Sequence, residues 1–189
     1  MGALPWPDHL LTLDEWKALP EDNRFRVEVV EGVLIVAPRP LSLHQRAMWR
    51  LCDRLEDQLP SQLSTLPEVE VVIAGSPLPT VRIPDVVVVA AELADANTAR
   101  YKPSDVSLAV EILSEGSVRT DRVTKFAEYA EVGIANYWIV DLDAPVSLLR
   151  YHLIDGDYEL FGEHTGTVTV ELDGHPITLD LTALVSRRP

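Results

Sequence analysis

The sequence predicts an α/β fold with a central mixed sheet, a helix and hairpin ahead of it and a β meander behind it. Three observations support this. Residues 84–91 and 107–113 are almost wholly apolar, as strands are when both faces of their sheet are covered. Residues 42–59 and 118–132 have helical spacing and alternate with strand candidates, the order expected of α/β architecture. The end of the chain holds short strand candidates joined by Asp155-Gly156 and Asp173-Gly174, dipeptides that close hairpins.

Each element has a local cause. Thr12 with Glu15 makes a capping box for a helix over 12–19, and Pro20 stops it. Phe25, Val27 and Val29 alternate with Arg26 and Glu28, and Glu31-Gly32 supplies a turn, so 25–36 reads as a hairpin. Ser42 with Gln45 makes a second capping box. Met48, Leu51, Leu55 and Leu59 then form one apolar stripe along 42–59. Residues 69–74, 84–91 and 107–113 read as three strands. A helix over 118–132 ends at Gly133, a residue suited to a C-cap, and 136–141 is a fourth strand. The middle of the chain thus runs helix, strand, strand, strand, helix, strand.

Length and composition bound the class. The chain has 189 residues, one domain at the usual size. Its central part spans about 25–141 and its C-terminal strands 147–184. Hydrophobic residues at 47% and charged residues at 24% exclude a disordered chain. The lone Cys52 excludes a disulfide framework and a multi-thiolate zinc site, and it reads as a packed thiol. No apolar run approaches the roughly 18 residues of a membrane span. The start, MGALPWPDHL, lacks the basic and apolar regions of a signal peptide, and Trp6 stands where a myristoylation site carries Ser or Thr. The expectation is a cytoplasmic protein with no membrane partner. The net charge is −14. Such a field repels nucleic acid unless a local basic stripe or a bound metal offsets it.

Two carboxylates stand out. Asp85 opens the strand Ile83-Pro84-Asp85-Val86-Val87-Val88-Val89, and Glu111 lies inside Leu108-Ala109-Val110-Glu111-Ile112-Leu113. A charge in a strand buried on both faces is costly unless something pairs with it. If the two strands are neighbours, the acids converge and favour a divalent cation, Mg²⁺ or Mn²⁺, between them. The plainer reading makes Asp85 a strand cap and pairs Glu111 with a buried base. Lys125 shares a helix face with Asp121 and Tyr129, either reaching the same region or forming an exposed pair with Asp121. His44 lies in line with the apolar stripe, as a phosphate or water contact or as a capping or packing histidine. Phe126, Tyr137 and Trp138 read as core, and Asp141 ends its strand.

From Phe25 to Asp141 the chain resembles the Uma2 family of restriction-endonuclease-like proteins. The resemblance rests on Arg26-Val27-Glu28-Val29-Val30-Glu31-Gly32-Val33-Leu34, on Ser42 to Gln45, and on Pro84-Asp85-Val86-Val87-Val88. It continues through Val110-Glu111-Ile112-Leu113-Ser114, Arg119-Thr120-Asp121, Lys125, Tyr129, Gly133 and Tyr137-Trp138-Ile139-Val140-Asp141. That family is similar to the PD-(D/E)xK nucleases, whose restriction-endonuclease-like core runs αβββαβ. The resemblance implies that Asp85 and Glu111 are the metal-binding and catalytic carboxylates. It also implies that Lys125 replaces the lysine usually two residues after the second acid, where this chain has Leu113. Glu28, which resembles the family's glutamate before the turn, becomes a further metal-site candidate, or else a cross-strand partner of Arg26 or of a nearby base. Glu115 departs from the family's usual Ser-Pro-Ser or Ser-Pro-Gly and adds negative charge.

The expected function is metal-dependent hydrolysis of phosphodiester bonds, with DNA as substrate. Asp85, Glu111 and the Ile112 carbonyl would hold the ion. Arg100-Tyr101-Lys102 and Arg119 to Arg122 would form a positive rim. Two other readings stay open on the residues alone. One is a non-catalytic interaction module that keeps the fold. The other is a hydrolase of another phosphate ester, such as a nucleotide. A homodimer joined through 147–184 is a further expectation.

Overall fold

The computed structural model describes residues 7–20 and 24–187, so most of the start read for targeting signals (1–6) lies outside the described residues. Helix α1 (Leu13–Ala18) is capped as expected: Thr12 Oγ1 accepts the Glu15 N–H at 3.3 Å, and Glu15 Oε2 accepts the Thr12 N–H at 2.8 Å. Strands β1 (Phe25–Val30) and β2 (Val33–Pro38) form the hairpin. Glu31 (φ 49°) and Gly32 (φ 78°) both take left-handed conformations, the two-residue turn that matches strand twist.

Helix α2 covers Ser42–Glu56 and stops short of Leu59. Its expected capping box does not form. Leu41, extended at ψ 164°, is the cap residue rather than Ser42, and it has no side-chain group to cap the helix. Leu51 and Leu55 are buried as expected, joined by Ala47 and His44, while Met48 and Leu59 pack half-buried against the same core.

The chain continues through β3 (Leu63–Pro67), β4 (Glu70–Ala74), β5 (Thr80–Arg82), β6 (Val86–Ala90), α3 (Ala91–Asp95), β7 (Arg100–Tyr101) and β8 (Val106–Ile112). A π-helical segment (Thr120–Lys125) leads into α4 (Phe126–Glu131), which Gly133 (φ 82°) ends. Then come β9 (Asn136–Asp141), β10 (Ser147–Ile154), β11 (Asp157–Thr165), β12 (Thr167–Leu172), β13 (His175–Asp180) and α5 (Leu181–Val185). The helix expected over 118–132 is therefore not uniformly α-helical. A 3.6-residue repeat does not report a wide turn, and such turns recur at functional sites.

The central sheet has six strands in the order β11-β10-β9-β8-β6-β3, parallel only between β8 and β9. The αβββαβ order holds, with one correction. Its first strand is β3, whereas the expected strand over 69–74 becomes β4 in a separate five-stranded sheet, β2-β1-β5-β4-β7. Glu70 at the head of β4 pairs with Arg100 at 2.6 Å, beside the parallel partner β7. The C-terminal strands are also not one short meander. β10 and β11 extend the central sheet, β12 and β13 form their own hairpin, and α5 was not anticipated. Asp155-Gly156 and Asp173-Gly174 do make the turns, all four residues at positive φ.

Both faces of the central sheet are covered. On one, Ala47, Leu51 and Leu55 of α2 meet Val86, Val88, Leu108, Val110, Ile112 and Trp138. On the other, Val87, Val89, Ala109, Tyr137 and Ile139 meet Tyr129 of α4 and Val71 of β4. Two-sided burial explains why β6 and β8 read as continuous apolar runs. Among the described residues, no helix is long and apolar enough to cross a membrane.

Candidate active site

The antiparallel register of β6 and β8 sets Val86 opposite Val110, which brings Asp85 opposite Glu111. Alternation puts Asp85 on the side of Val87 and Val89, and Glu111 on the side of Ala109. That is the same face of the sheet. The two acids, remote in sequence, therefore converge, and both are buried at 1% and 2% exposure.

Each is held by several donors. Asp85 Oδ2 accepts the Ile112 N–H at 2.7 Å and lies 3.2 Å from His44 Nε2; Asp85 Oδ1 lies 2.5 Å from Arg26 Nη1. Glu111 Oε1 accepts from Lys125 Nζ at 2.8 Å and from the Tyr129 hydroxyl at 2.9 Å, while Oε2 lies 3.9 Å from Arg26 Nη2. Arg26 also donates to the Ile83 carbonyl. The strand-cap reading of Asp85 understates this environment. Glu111 does pair with a buried base, and that base is Lys125.

Lys125 is not the solvated partner of an exposed Asp121. It is 5% exposed and Asp121 is 1% exposed. Its ammonium lies near three carboxylates, at 2.8 Å from Glu111, 3.4 Å from Glu28 and 3.6 Å from Asp121. Glu28 joins the cluster from β1, paired with a nearby base, Arg82, and not with Arg26. Glu28 Oε2 accepts from Arg82 Nη1 at 2.9 Å, and Oε1 accepts the Ile83 N–H at 3.0 Å. Arg82 also grips Glu128 of α4 through two donors at 2.7 Å. Arg82 thereby ties β5 to β1 and to the helix after Lys125.

The electrostatics follow from burial and from these pairs. Burial alone would raise the Asp85 carboxyl, but the His44 hydrogen bond and the Arg26 charge hold it well below the usual carboxylate range. For Glu111 burial wins: it is pushed up to about 8, with Asp85 and Asp121 adding to the rise and Lys125 and Arg26 opposing it. Asp121 is also raised, by burial first, against the pull of Lys125. Burial disfavours charge on Lys125, yet Glu111 and Glu28 keep it protonated above its ordinary range.

His44 sits at the start of α2, buried, with Nε2 at 2.9 Å from the Ile112 carbonyl and 3.2 Å from Asp85 Oδ2. Both neighbours are acceptors, so Nε2 carries the proton. Burial opposes a charge on the ring, and Asp85 outweighs it to raise the pKa. His44 therefore touches Asp85 instead of merely packing.

Half of the proposed positive rim is consumed by ion pairs. Arg100 pairs with Glu70 at 2.6 Å, and Arg122 lies 3.4 Å from Asp141. Arg46 and Arg50 bond to backbone carbonyls of α5 and its end. Arg119 is exposed beside the loop that carries Glu115. Phe126, Tyr137 and Trp138 are core, as expected. Cys52 donates to the Thr65 carbonyl, and burial pushes its thiol up to about 11.

Sequence reasoning missed Arg26 and Arg82 as members of this cluster, and it placed Tyr129 on the face of Lys125 without giving it a role. For Arg26 the signal was present: it is two residues from Glu28 on one strand, hence on the same face.

The donors offered to a cation are all oxygens: the two carboxylates and the Ile112 carbonyl. Among the described residues no group of three or more His, Cys, Asp or Glu side chains is placed to hold a metal ion. Two carboxylates with water and phosphate completing the shell is the habit of Mg²⁺. Charge also fits. Among the described residues, the five acids Glu28, Asp85, Glu111, Asp121 and Glu128 pair with three permanent cations, Arg26, Arg82 and Lys125. The buried Asp121 Oδ1 has no hydrogen-bond partner. A divalent ion suits this excess of negative oxygen.

Comparison with known proteins agrees with the fold. The Uma2 family model, described as "Putative restriction endonuclease", matches residues 13–183. A crystal structure from Anabaena variabilis, of a "putative nuclease belonging to DUF820", superposes with a TM-score of 0.71 at 20% identity, covering 93% of this chain and 97% of that one. No curated protein matches the sequence.

Proposed function

The chain belongs to the Uma2 family, and we propose that it is a nuclease that hydrolyses phosphodiester bonds with the help of Mg²⁺ or Mn²⁺. The observation that carries this is the convergence of Asp85 and Glu111 on one face of neighbouring strands, with Lys125 2.8 Å from Glu111. Both the family description and that of the Anabaena variabilis protein point to nuclease chemistry.

Asp85 Oδ1, Glu111 Oε2 and the Ile112 carbonyl would hold the ion. When bound, a divalent ion polarises the scissile phosphate and makes a bound water more acidic. The chain's own groups do the rest. The Ile112 N–H and His44 fix Asp85, and the Tyr129 hydroxyl and Lys125 fix Glu111. Preorganisation of this kind is the main source of electrostatic stabilisation in such sites. Lys125 stays protonated and offsets charge that builds on the phosphate. Its position on the helix after β8 supports the reading that it stands in for the lysine absent at Leu113. Glu28 orients Lys125 from the opposite side, at 3.4 Å.

DNA is the proposed substrate. A second reading, a smaller phosphate ester such as a nucleotide, is favoured by the −14 charge and by the ion-paired rim arginines. Supercoiled plasmid and a nucleotide panel, each with Mn²⁺, separate the two. The nuclease reading expects nicking by wild type and a loss of at least about a hundredfold in Asp85→Asn, Glu111→Gln and Lys125→Met. Cutting that survives both carboxylate changes sinks it.

A further inference from the structure

We propose that Arg26 is a built-in counter-cation that occupies the metal-facing oxygens of Asp85 and Glu111, so that the guanidinium must swing away for a divalent ion to bind. This rests on the metal-dependent reading above and assigns to Arg26 the control of metal affinity.

The geometry divides each carboxylate in two. Asp85 Oδ2 is tied to the Ile112 N–H at 2.7 Å and to His44 Nε2 at 3.2 Å. Glu111 Oε1 is tied to Lys125 at 2.8 Å and to Tyr129 at 2.9 Å. Those donors sit on the central sheet, on α2 and on the π-helical and α4 segments packed against it, and cannot be withdrawn without opening the core. That leaves Asp85 Oδ1 and Glu111 Oε2 for a bridging ion. Both face Arg26, at 2.5 Å from Nη1 and 3.9 Å from Nη2. An ion at about 2.1 Å from those oxygens would stand against the guanidinium.

Arg26 is also the cation that can leave. Its side chain is 14% exposed and belongs to the other sheet. Arg82, by contrast, is 3% exposed and clamped by Glu28 and Glu128. Lys125 is enclosed by three acids. Arg26 holds Asp85 by one short contact and the Ile83 carbonyl, and it meets Glu111 only beyond hydrogen-bond distance.

Mn²⁺ binding to the full-length protein, followed by the electron paramagnetic resonance of free Mn²⁺, tests this in wild type, Arg26→Gln and Arg26→Lys. Removing a unit positive charge from this site should tighten Mn²⁺ binding by about tenfold or more in Arg26→Gln. Arg26→Lys, which keeps the charge and loses the fork, should fall between. A dicarbonyl reagent specific for arginine, read by mass spectrometry, should label wild-type Arg26 faster with saturating Mg²⁺ than without, and leave Arg82 unlabelled in both. If Arg26→Gln does not fold, Arg26→Lys and the labelling of wild type decide the matter. Wild type that binds Mn²⁺ while Arg26→Gln binds no tighter, or Arg26 labelling that Mg²⁺ leaves unchanged, overturns the inference alone. If neither wild type nor Arg26→Gln binds Mn²⁺, the metal-dependent reading falls and takes this inference with it.

Discussion

Lys125→Met replaces a buried ammonium by an apolar side chain of similar length. Three carboxylates lose their common partner: Glu111 at 2.8 Å, Glu28 at 3.4 Å and Asp121 at 3.6 Å. Removing one member of a buried ion pair strands the other and costs about 3–5 kcal/mol. At about 2–4 °C per kcal/mol for a chain of this size, the melting temperature should fall by roughly 6–20 °C. The loss should also depend on pH. Glu111 binds its proton more tightly folded than unfolded, with a pKa of about 8 against 4.5. The folded state therefore carries more protons across that window, and its stability falls as pH rises through it. Without Lys125 the Glu111 carboxylate is more costly still, so the variant should lose most in mildly alkaline buffer and least in mild acid. Urea denaturation at both pH values measures this. A loss below about 1 kcal/mol, equal at the two pH values, is what an exposed Asp121–Lys125 pair would give, and it would refute the buried-cluster reading.

Two further outcomes concern the scaffold. Leu51→Ala, at a fully buried site between α2 and the central sheet, should cost about 2–5 kcal/mol in urea denaturation, and a cost near zero would show that α2 does not seal that face. Gly32→Ala should cost about 1–3 kcal/mol, because Gly32 sits at φ 78° and an added Cβ would lie 3.1 Å from Leu10 Cβ and from the Leu11 carbonyl; unchanged stability would mean the turn relaxes freely.

The parts of the site that announce themselves in the sequence are those whose signal is local. Asp85 and Glu111 are conspicuous because each interrupts an apolar run, and the shared face of Asp121, Lys125 and Tyr129 survives the wide turn between them. Glu31-Gly32 and the Asp-Gly pairs are legible for the same reason: their backbone preference is their own. What stayed hidden is non-local. Arg26 meets Asp85 across 59 residues, and Arg82 meets Glu128 across 46. Strand β3, Leu-Ser-Thr-Leu-Pro, mixes polar residues with a terminal proline and has little strand signal of its own. It joins the central sheet by pairing with β6. Strand β4 carries a stronger apolar pattern, yet its neighbours β5 and β7 draw it into the other sheet. The Ser42 capping box failed because the helix starts one residue earlier than the motif implies, so Ser42 lies in the first turn and Leu41 takes the cap position.

The most direct test of the central claim, that Asp85 and Glu111 together hold one divalent ion, is the melting temperature with and without Mn²⁺ in wild type, Asp85→Asn and Glu111→Gln. An ion that binds only the folded state, at about a hundredfold its dissociation constant, stabilises by about 2.7 kcal/mol. Wild type should then melt roughly 5–11 °C higher, and neither variant should respond. An equal rise in all three proteins would place the ion elsewhere and contradict the claim.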